Sequence, residues 1–480
     1  MSLRSHFDAV HDSLRYTPFR FVTDVMNEST NSSPSKALPE RRWRRWMRRI
    51  FIAVATLASV VILLTLIWLR HALYHRWVQF PRQETAWENL RAMRQPVTDK
   101  GGWNEYRGIL HSHSHFSHDS EMSFEGILQA MDVARLDFIC LSDHCVNGRG
   151  DFNWQWRGLH QGKLFVPGFE MNDGFMPFGC APGTIVSHQT PGPELARQIV
   201  NAGGVLFYAH PEEPRDWARS ELTGMEIYNL HADFKRVPGG LGALLPEVIV
   251  NLRAHPDSIY RLMFRRPTEF LRHWDELNQS RHITGIAGND CHQNVGFRAF
   301  YQTNGTIRIE DTSPKTLAEY KLNGFTRLLA RVALGPLEPG RKLFHVQLDP
   351  YERSARYVNT HVLARELSEP ALLDALRAGR VFIGFDMVAD SSSFRWLARD
   401  GTSVTPMGES ASLTPATRLE ASAPIPCRFT VLKDGQQVHQ AEGRSLLWTP
   451  VGPGKYRVEA ELKVLDEWVP WVYANPIRLN

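Results

Sequence analysis

The hydrophobic pattern changes character twice along the 480-residue chain. Near the N-terminus a single apolar run, residues 50–69, extends for 20 residues without a charge or a proline. At about 1.5 Å per residue, a helix of that length spans the hydrocarbon core of a bilayer. From Tyr106 the runs become short, and most end in polar residues. Residues 108–110 lead to His111-Ser112-His113, and residues 138–141 to Ser142-Asp143-His144. Between them, residues 124–136 carry Ile127, Met131 and Ala134 on one helical face behind Ser123, a suitable N-cap. Later runs lead to Gly168-Phe169-Glu170, His188, Ala209-His210-Pro211, Asn229 and Gly288-Asn289-Asp290-Cys291-His292. Helical stretches such as residues 194–202, stopped by Gly203-Gly204, separate some of them. Strand, polar turn and helix in repetition predict an α/β chain with a βα barrel, whose site collects at the C-terminal ends of the strands. Residues 246–278 read as largely helical, and the signals weaken from Asp311 to about Ala364. Beyond Val381, short alternating stretches broken by Gly, Pro, Asp and Ser predict a small β-sandwich, with a hairpin turning at Lys433-Asp434-Gly435.

This pattern partitions the chain into a disordered basic tail (1–49), a transmembrane helix (50–69), a linker (70–105), the barrel (106–310), a helical insertion that completes the barrel (311–390) and the β-sandwich (391–480). The tail is rich in Ser, Asn and Pro before RRWRRWMRR. Arginines crowd the N-terminal flank of the apolar run, and only Arg70 and Arg76 follow closely. The positive-inside rule therefore predicts an uncleaved single-pass anchor, with the tail cytoplasmic and the rest outside. In a bacterium that is the periplasmic face of the inner membrane. Trp43, Trp46, Trp68 and Trp77 suit the two interfaces. The apolar, aromatic residues 468–473 are expected to pack against the barrel rather than stay exposed.

Charge changes the picture less than it first suggests. The net +4 includes six arginines within residues 41–49, so the remainder is 4 − 6 = −2, with no basic footprint for nucleic acid. Five cysteines, odd in number and without a CxxC pair, exclude a disulfide framework or zinc finger and read as small buried side chains.

The recurring histidines and carboxylates carry the chemistry. His111 and His113 lie one residue apart and face the same way on a strand. Imidazole and carboxylate suit Zn, Mn and Fe, and eight or nine such residues exceed the four or so that one zinc needs. Clustered metals acidify a shared water and clamp the attacking and leaving oxygens. No GxSxG elbow offers a competing nucleophile. Asp143, beside His144, is placed to orient a ligand. Arg149, Arg157 and Arg215 follow motif turns and read either as solvated loop charges or as bidentate contacts to an anionic substrate. Tyr228 and Asn229 stand at a strand end near that substrate. His160 and His231 read as ordinary histidines, His115 as a solvent-facing or supporting histidine near the site or as a further ligand, and residues 152–156 (FNWQW) as loop packing or a pocket wall.

The order HxH, S-D, SDH, G-x-E, H, AHP and D-x-H over residues 106–295 resembles the PHP superfamily, named for polymerase and histidinol phosphatase domains. ALRAGRVFIGF and PWVYANPI also resemble a branch of secreted or membrane-attached metallohydrolases that includes enzymes cleaving carbamate insecticides. The resemblance implies a distorted (βα)7 barrel with two or three zinc, manganese or iron ions. His111, His113, His144, Glu170, His188, His210, Asp290 and His292 fall on ligand positions, with Glu170 bridging. The third position of the first motif falls on His118 without a gap and on Asp119 with one inserted residue. The implied function is a metal-dependent phosphoesterase that uses a metal-bound hydroxide, with Glu170, Asp143 and Asp290 as its catalytic carboxylates. Its expected partners are a small anionic substrate, contacted by Arg149, Arg215 and Asn229, and the membrane. The alternatives are a carbamate, amide or ester hydrolase on the same barrel, or a non-catalytic envelope binding protein.

Overall fold

A computed structural model describes residues 40–99, 101–235, 241–311 and 316–480. The tail expected to be disordered lies, up to residue 39, outside the described residues. By their contacts, the described residues up to Leu66 form one unit and Ile67–Asn480 another. Helix α1 (Glu40–Tyr74) contains the apolar run. None of that stretch is buried, and the helix is long and apolar enough to cross a membrane. The residues expected to form a linker instead contain helix α2 (Phe80–Ala92). Its Phe80, Trp87 and Leu90 recur on one face and are buried, while the intervening polar residues hid that pattern.

The large unit is mixed α/β with an 18-stranded sheet. Its first elements are β1 (Asn104–Ser112), α3 (Phe124–Ala134), β2 (Phe138–Cys140) and β3 (Lys163–Val166). Next come β4 (Phe175–Phe178), α4 (Gly192–Asn201), β5 (Val205–Tyr208), β6 (Gly224–Asn229) and β7 (Thr284–Cys291). Ser123 caps α3 as its sequence indicates, its Oγ accepting from the Gly126 amide at 3.1 Å. Parallel pairings join β5 to β6, β6 to β7, β7 to β1, β1 to β2 and β2 to β3. Strand β4 runs antiparallel to β5. A single bridge, Gly168 to Phe178, links the end of β3 to β4, so the pairing of seven strands closes on itself. Almost all residues of β2 to β7 are buried, as strands covered on both faces require.

A second sheet follows. Strands β8 (Gly296–Tyr301), β9 (Thr306–Asp311) and β10 (Thr316–Lys321) precede helix α5 (Gly324–Leu334) and strand β11 (Lys342–Gln347). They pair antiparallel in the order β10-β9-β8-β11. Residues 296–310, drawn into the barrel, instead begin this antiparallel sheet, where Ile307 and Ile309 alternate with Arg308 and Glu310, a period-2 pattern too short to stand out in the sequence. Residues 311–390, expected to be a helical insertion, mix helices with strands.

The chain then returns to the main sheet. β12 (Asn359–Ala364) pairs antiparallel with the first half of β1, α6 (Glu369–Ala378) follows, and β13 (Val381–Gly384) pairs with β12. The remaining strands include β14 (Arg395–Asp400), β15 (Arg418–Lys433), β16 (Gln436–Trp448), β17 (Gly454–Val464) and β18 (Glu467–Ala474). β18 pairs with β13 at Ile383–Tyr473 and Gly384–Val472. The boundary drawn at residue 390 therefore falls inside one hydrogen-bonded sheet, not between two bodies. Trp471 is fully buried, and its indole N–H donates to the Ala389 carbonyl at 2.6 Å. Trp87 and Leu90 of α2 join the same core.

Candidate metal centre

His111 to His113 lie at the C-terminal end of β1, Glu170 just beyond β3, His210 just beyond β5, and Asp290 and His292 at the end of β7. Parallel strands bring these ends to one side of the sheet. His111, His210 and Asp290 have φ of 92°, 50° and 53°. L-residues rarely adopt such backbone, which costs on the order of 1–3 kcal/mol per residue and persists where the surroundings dictate it. At Asp290 it coincides with an irregular register between β1 and β7, Leu110 pairing with Gly288 but Ser112 with Cys291.

The side chains converge as two main groups. His113, Asp119, His144 and His292 form one, and His111, Glu170, His210 and Asp290 the other; within each, the ligand atoms lie within 4.8 Å of one another. Glu170 faces both. Its carboxylate oxygens lie 3.2 Å from His111 Nε2, 3.6 Å from His113 Nε2, 3.6 Å from His144 Nε2 and 3.0 Å from His210 Nε2. Asp290 Oδ1 is 3.1 Å from His111 Nε2 and 3.2 Å from His113 Nε2. Even so, Asp290 Oδ1, Asp119 Oδ1, His113 Nε2 and His292 Nε2 are buried without a hydrogen-bond partner. Close approach without alignment is what ligand atoms aimed at a common centre produce. Buried polar atoms are otherwise almost always paired. With three nitrogens and one oxygen in one group, and two of each in the other, the donor set fits divalent Zn, Mn or Fe. All five cysteines are free, and none joins these groups.

Electrostatics within the cluster are strong. Burial opposes ionisation of Glu170 and Asp290, yet His111 and its neighbours hold both carboxyls well below their usual range. Burial likewise disfavours charge on His210 and His292, but Glu170 and Glu212 raise the first to about 10, and Asp290 and Asp119 raise the second to about 9. Burial and the charge of His292 depress His113 to about 3. Protons on the raised imidazoles occupy the lone pairs that a cation would use, so cation uptake displaces them.

A supporting layer orients this cluster. Glu226, fully buried on β6, places Oε1 2.6 Å from His111 Nδ1 and accepts from the His210 amide at 3.0 Å. It thereby turns His111 Nε2 inward. A Cβ on Gly288 would stand 2.0 Å from Glu226 Oε1, so that glycine makes room for the carboxylate. Ser117 Oγ lies 2.8 Å from His113 Nδ1 and accepts from the His144 amide at 2.9 Å.

Several expected positions fall elsewhere. His118 stays outside the groups, its ring 4.8 Å from that of His144, and Asp119 is the residue brought in. His188 also stays outside, beside Gly148, with its Nε2 buried and unpaired. Asp143 faces away: it accepts from Ser114 Oγ and Gln155 Nε2, both at 2.7 Å, and anchors the loop after β1. Burial raises its pKa. Arg157 is committed to Glu369 and the Cys180 carbonyl. Arg215 donates to the Ala209 carbonyl at 3.1 Å and to Glu213 at 3.0 Å. Asn229 donates to Glu226 at 3.0 Å and accepts from the Ala232 amide. Arg149 is exposed. Arg157, Arg215 and Asn229 thus each have protein partners. Residues 152–156 pack as expected, with Phe152 on Phe169 and Trp156 stacked on His160.

The sequence reading gave two residues no role in the site. Glu226 stands within the apolar run 225–228 with no motif around it, and His231 reads as an ordinary histidine. His231 forms a third group with Asp290 and His292. Its one available signal was its place two residues past the strand end at Asn229.

No protein-family model matches the sequence, and no curated protein matches it. Among solved structures, the chain is similar to a two-domain protein from Bacteroides vulgatus containing a predicted PHP-like metal-dependent phosphoesterase. The match has 12% identity and a TM-score of 0.34, and covers 79% of this chain and 98% of that one.

Proposed function

We propose that the chain is a metal-dependent hydrolase, a phosphoesterase on a distorted (βα)7 barrel of PHP type. The observation that carries this reading is the convergence of eight imidazoles and carboxylates about Glu170, with buried ligand atoms left unpaired and left-handed backbone at three of the positions. His113, Asp119, His144 and His292 would hold one divalent ion, and His111, Glu170, His210 and Asp290 another. Such ions supply an acidified water and neutralise charge that develops on the substrate's oxygens. The chain's own part is preorganisation. Glu226 fixes His111, Ser117 fixes His113, and Asp143 holds the Ser114 turn that carries the HxH motif onward. Glu170 and Asp290 are the catalytic carboxylates of this reading, and Asp143 acts through Ser114.

The substrate of this reading is a small anionic ester, with Arg149, exposed five residues beyond His144, among its contacts. The commitment of Arg157 and Arg215 to protein partners favours a second reading, a carbamate, amide or carboxylic ester hydrolase on the same site. The arginine-rich flank of α1 supports a hydrolase that lies outside the cytoplasm, on the periplasmic side in a bacterium. The test is elemental analysis of the full chain in detergent, followed by a screen of phosphomonoesters, phosphodiesters, aryl carbamates and aryl esters with Mn or Zn. Two or more equivalents of metal and turnover of phosphate esters are expected. Turnover of carbamates or esters alone would establish the second reading, and no metal after reconstitution would overturn both.

A further inference from the structure

Helix α5 carries apolar residues on two faces. Ala330 and Leu334 turn inward onto a small core with Ala299, Tyr301, Ile307 and Leu337. Phe325, Leu328, Leu329 and Val332, spaced i, i+3, i+4, i+7, turn outward and are 70%, 61%, 51% and 80% exposed. The helix is not a frayed end. Asn323 and Thr326 form a reciprocal capping box at its start, and Gly335, at φ 84°, stops it. A scattered exposed leucine is ordinary; four large side chains aligned on one well-capped helix mark a contact surface.

Charge identifies what covers it. Residues 296–347 hold eight Lys and Arg against four Asp and Glu, and residues 41–49 hold six Arg and no acid. These two excesses together surpass the net +4 of the whole chain, so everything else is acidic on balance. The basic charge is concentrated beside apolar surface in two places: the flank of α1 and the sheet that carries α5. Arg327 and Arg331 lie on α5 itself, and Arg341 and Lys342 near the start of β11 are exposed. At about 100° per residue Arg331 flanks the apolar stripe on the Leu328 side, while Arg327 turns toward the inward face and the Gly305 turn. An apolar stripe flanked by arginine is the composition of a helix lying in a lipid interface. A chain whose own helix is able to cross a membrane also keeps lipid continuously at hand.

We propose that α5 docks on an anionic bilayer surface, with Phe325, Leu328, Leu329 and Val332 entering the headgroup region and Arg331 meeting lipid phosphates. This surface is separate from the metal centre, and the proposal stands whether or not the chain is a hydrolase. The occupant is lipid rather than a second copy, because like-charged lobes oppose self-association while anionic headgroups attract them.

The experiment is amide hydrogen exchange of the full chain in nanodiscs of phosphatidylcholine alone and of phosphatidylcholine with one quarter phosphatidylglycerol. Exchange across residues 324–334 should slow several-fold in the anionic discs, and 0.5 M salt should reverse the effect. R331Q should weaken the protection roughly fivefold, and L328S/V332S should abolish it. Both variants should keep the wild-type metal content, because none of these residues approaches the cluster. Equal exchange in both lipids would overturn the proposal. So would protection in detergent that grows with protein concentration, which would assign the face to a second copy.

Discussion

Glu226 sits behind the metal cluster, and its contribution is separable from that of the ligands. Glu226→Ala leaves all eight ligand side chains in place but frees His111 Nδ1 and the His210 amide. Loss of such a supporting carboxylate weakens metal affinity about 10–100-fold. Competition against a chelator is expected to show that loss, and turnover to fall with it; unchanged affinity would remove Glu226 from the supporting layer. Gly288→Ala attacks the same carboxylate from the neighbouring strand, since the new Cβ would lie 2.0 Å from Glu226 Oε1. Overpacking of a tight interior costs about 1–3 kcal/mol, so the midpoint of thermal unfolding should fall and metal affinity should fall with it. Retained affinity would mean that Glu226 has room to shift. At this scale the sequence was legible where a motif surrounds the residue. HxH, SDH and D-x-H announced His111, His113, His144, Asp290 and His292. The choice between His118 and Asp119 turned on loop geometry that spacing does not encode. Asp143 stood in a motif, yet it points at Ser114, because adjacent strand residues face opposite sides.

The junction of β1, β12 and β13 carries a buried ion network distinct from the cluster. His361 Nδ1 lies 2.8 Å from Glu105 Oε1, and its Nε2 lies 2.9 Å from Asp386 Oδ2. Arg107 Nε reaches Asp386 at 2.9 Å, and Arg395 pairs with Glu105. Ser391 Oγ stands 3.2 Å from His361 Nε2, an arrangement that superficially suits a serine nucleophile. Ser391 is fully buried, however, and its hydroxyl lies 2.6 Å from Asp386 Oδ1. Burial opposes charge on His361, but Asp386 and Glu105 raise its pKa to about 9. A protonated imidazole has no lone pair with which to act as a base, so the network is structural. Its pH signature follows. His361 is raised above its unfolded value, so its contribution is complete below about pH 6.5 and is lost as pH rises through about 9. Asp386 and Glu105 are lowered, so their contribution is present above about pH 4 and is lost on acidification. Unfolding free energies from urea titration of the full chain in detergent should therefore decline from pH 7 to pH 10, by about 2–3 kcal/mol from His361. His361→Gln should start lower and flatten that decline; a wild-type curve that is flat over this range would contradict the network. Nothing in the sequence linked Glu105, His361 and Asp386, because their proximity arises from antiparallel pairing across some 280 residues.

For the whole molecule, the hydrophobic pattern disclosed the apolar helix, the repeated strand-to-ligand units and the late change to alternating strands. It missed the way these parts join. β18 closes on β13, Trp87 and Leu90 enter the core of the C-terminal strands, and the expected linker is a helix packed into the unit. Such joins depend on pairings between distant segments, and local periodicity carries no information about them. Continuity of the sheet has a thermodynamic consequence. If Ile67–Asn480 is one cooperative body, calorimetry of the metal-free protein in detergent should show a single transition for that body, with no separate melting of residues 391–480. Deleting residues 394–480 removes β18 from the edge of β13 and uncovers Phe382 and Phe385, which are otherwise buried. Full burial of such side chains is worth about 1.5–3 kcal/mol each. The truncated chain is therefore expected to aggregate or melt well below the intact one, while every residue of the metal cluster remains in its sequence. Two resolved transitions, or a truncated chain equal to the intact one in stability and metal content, would show that the C-terminal strands are an appended module and that the continuous sheet does not confer cooperativity.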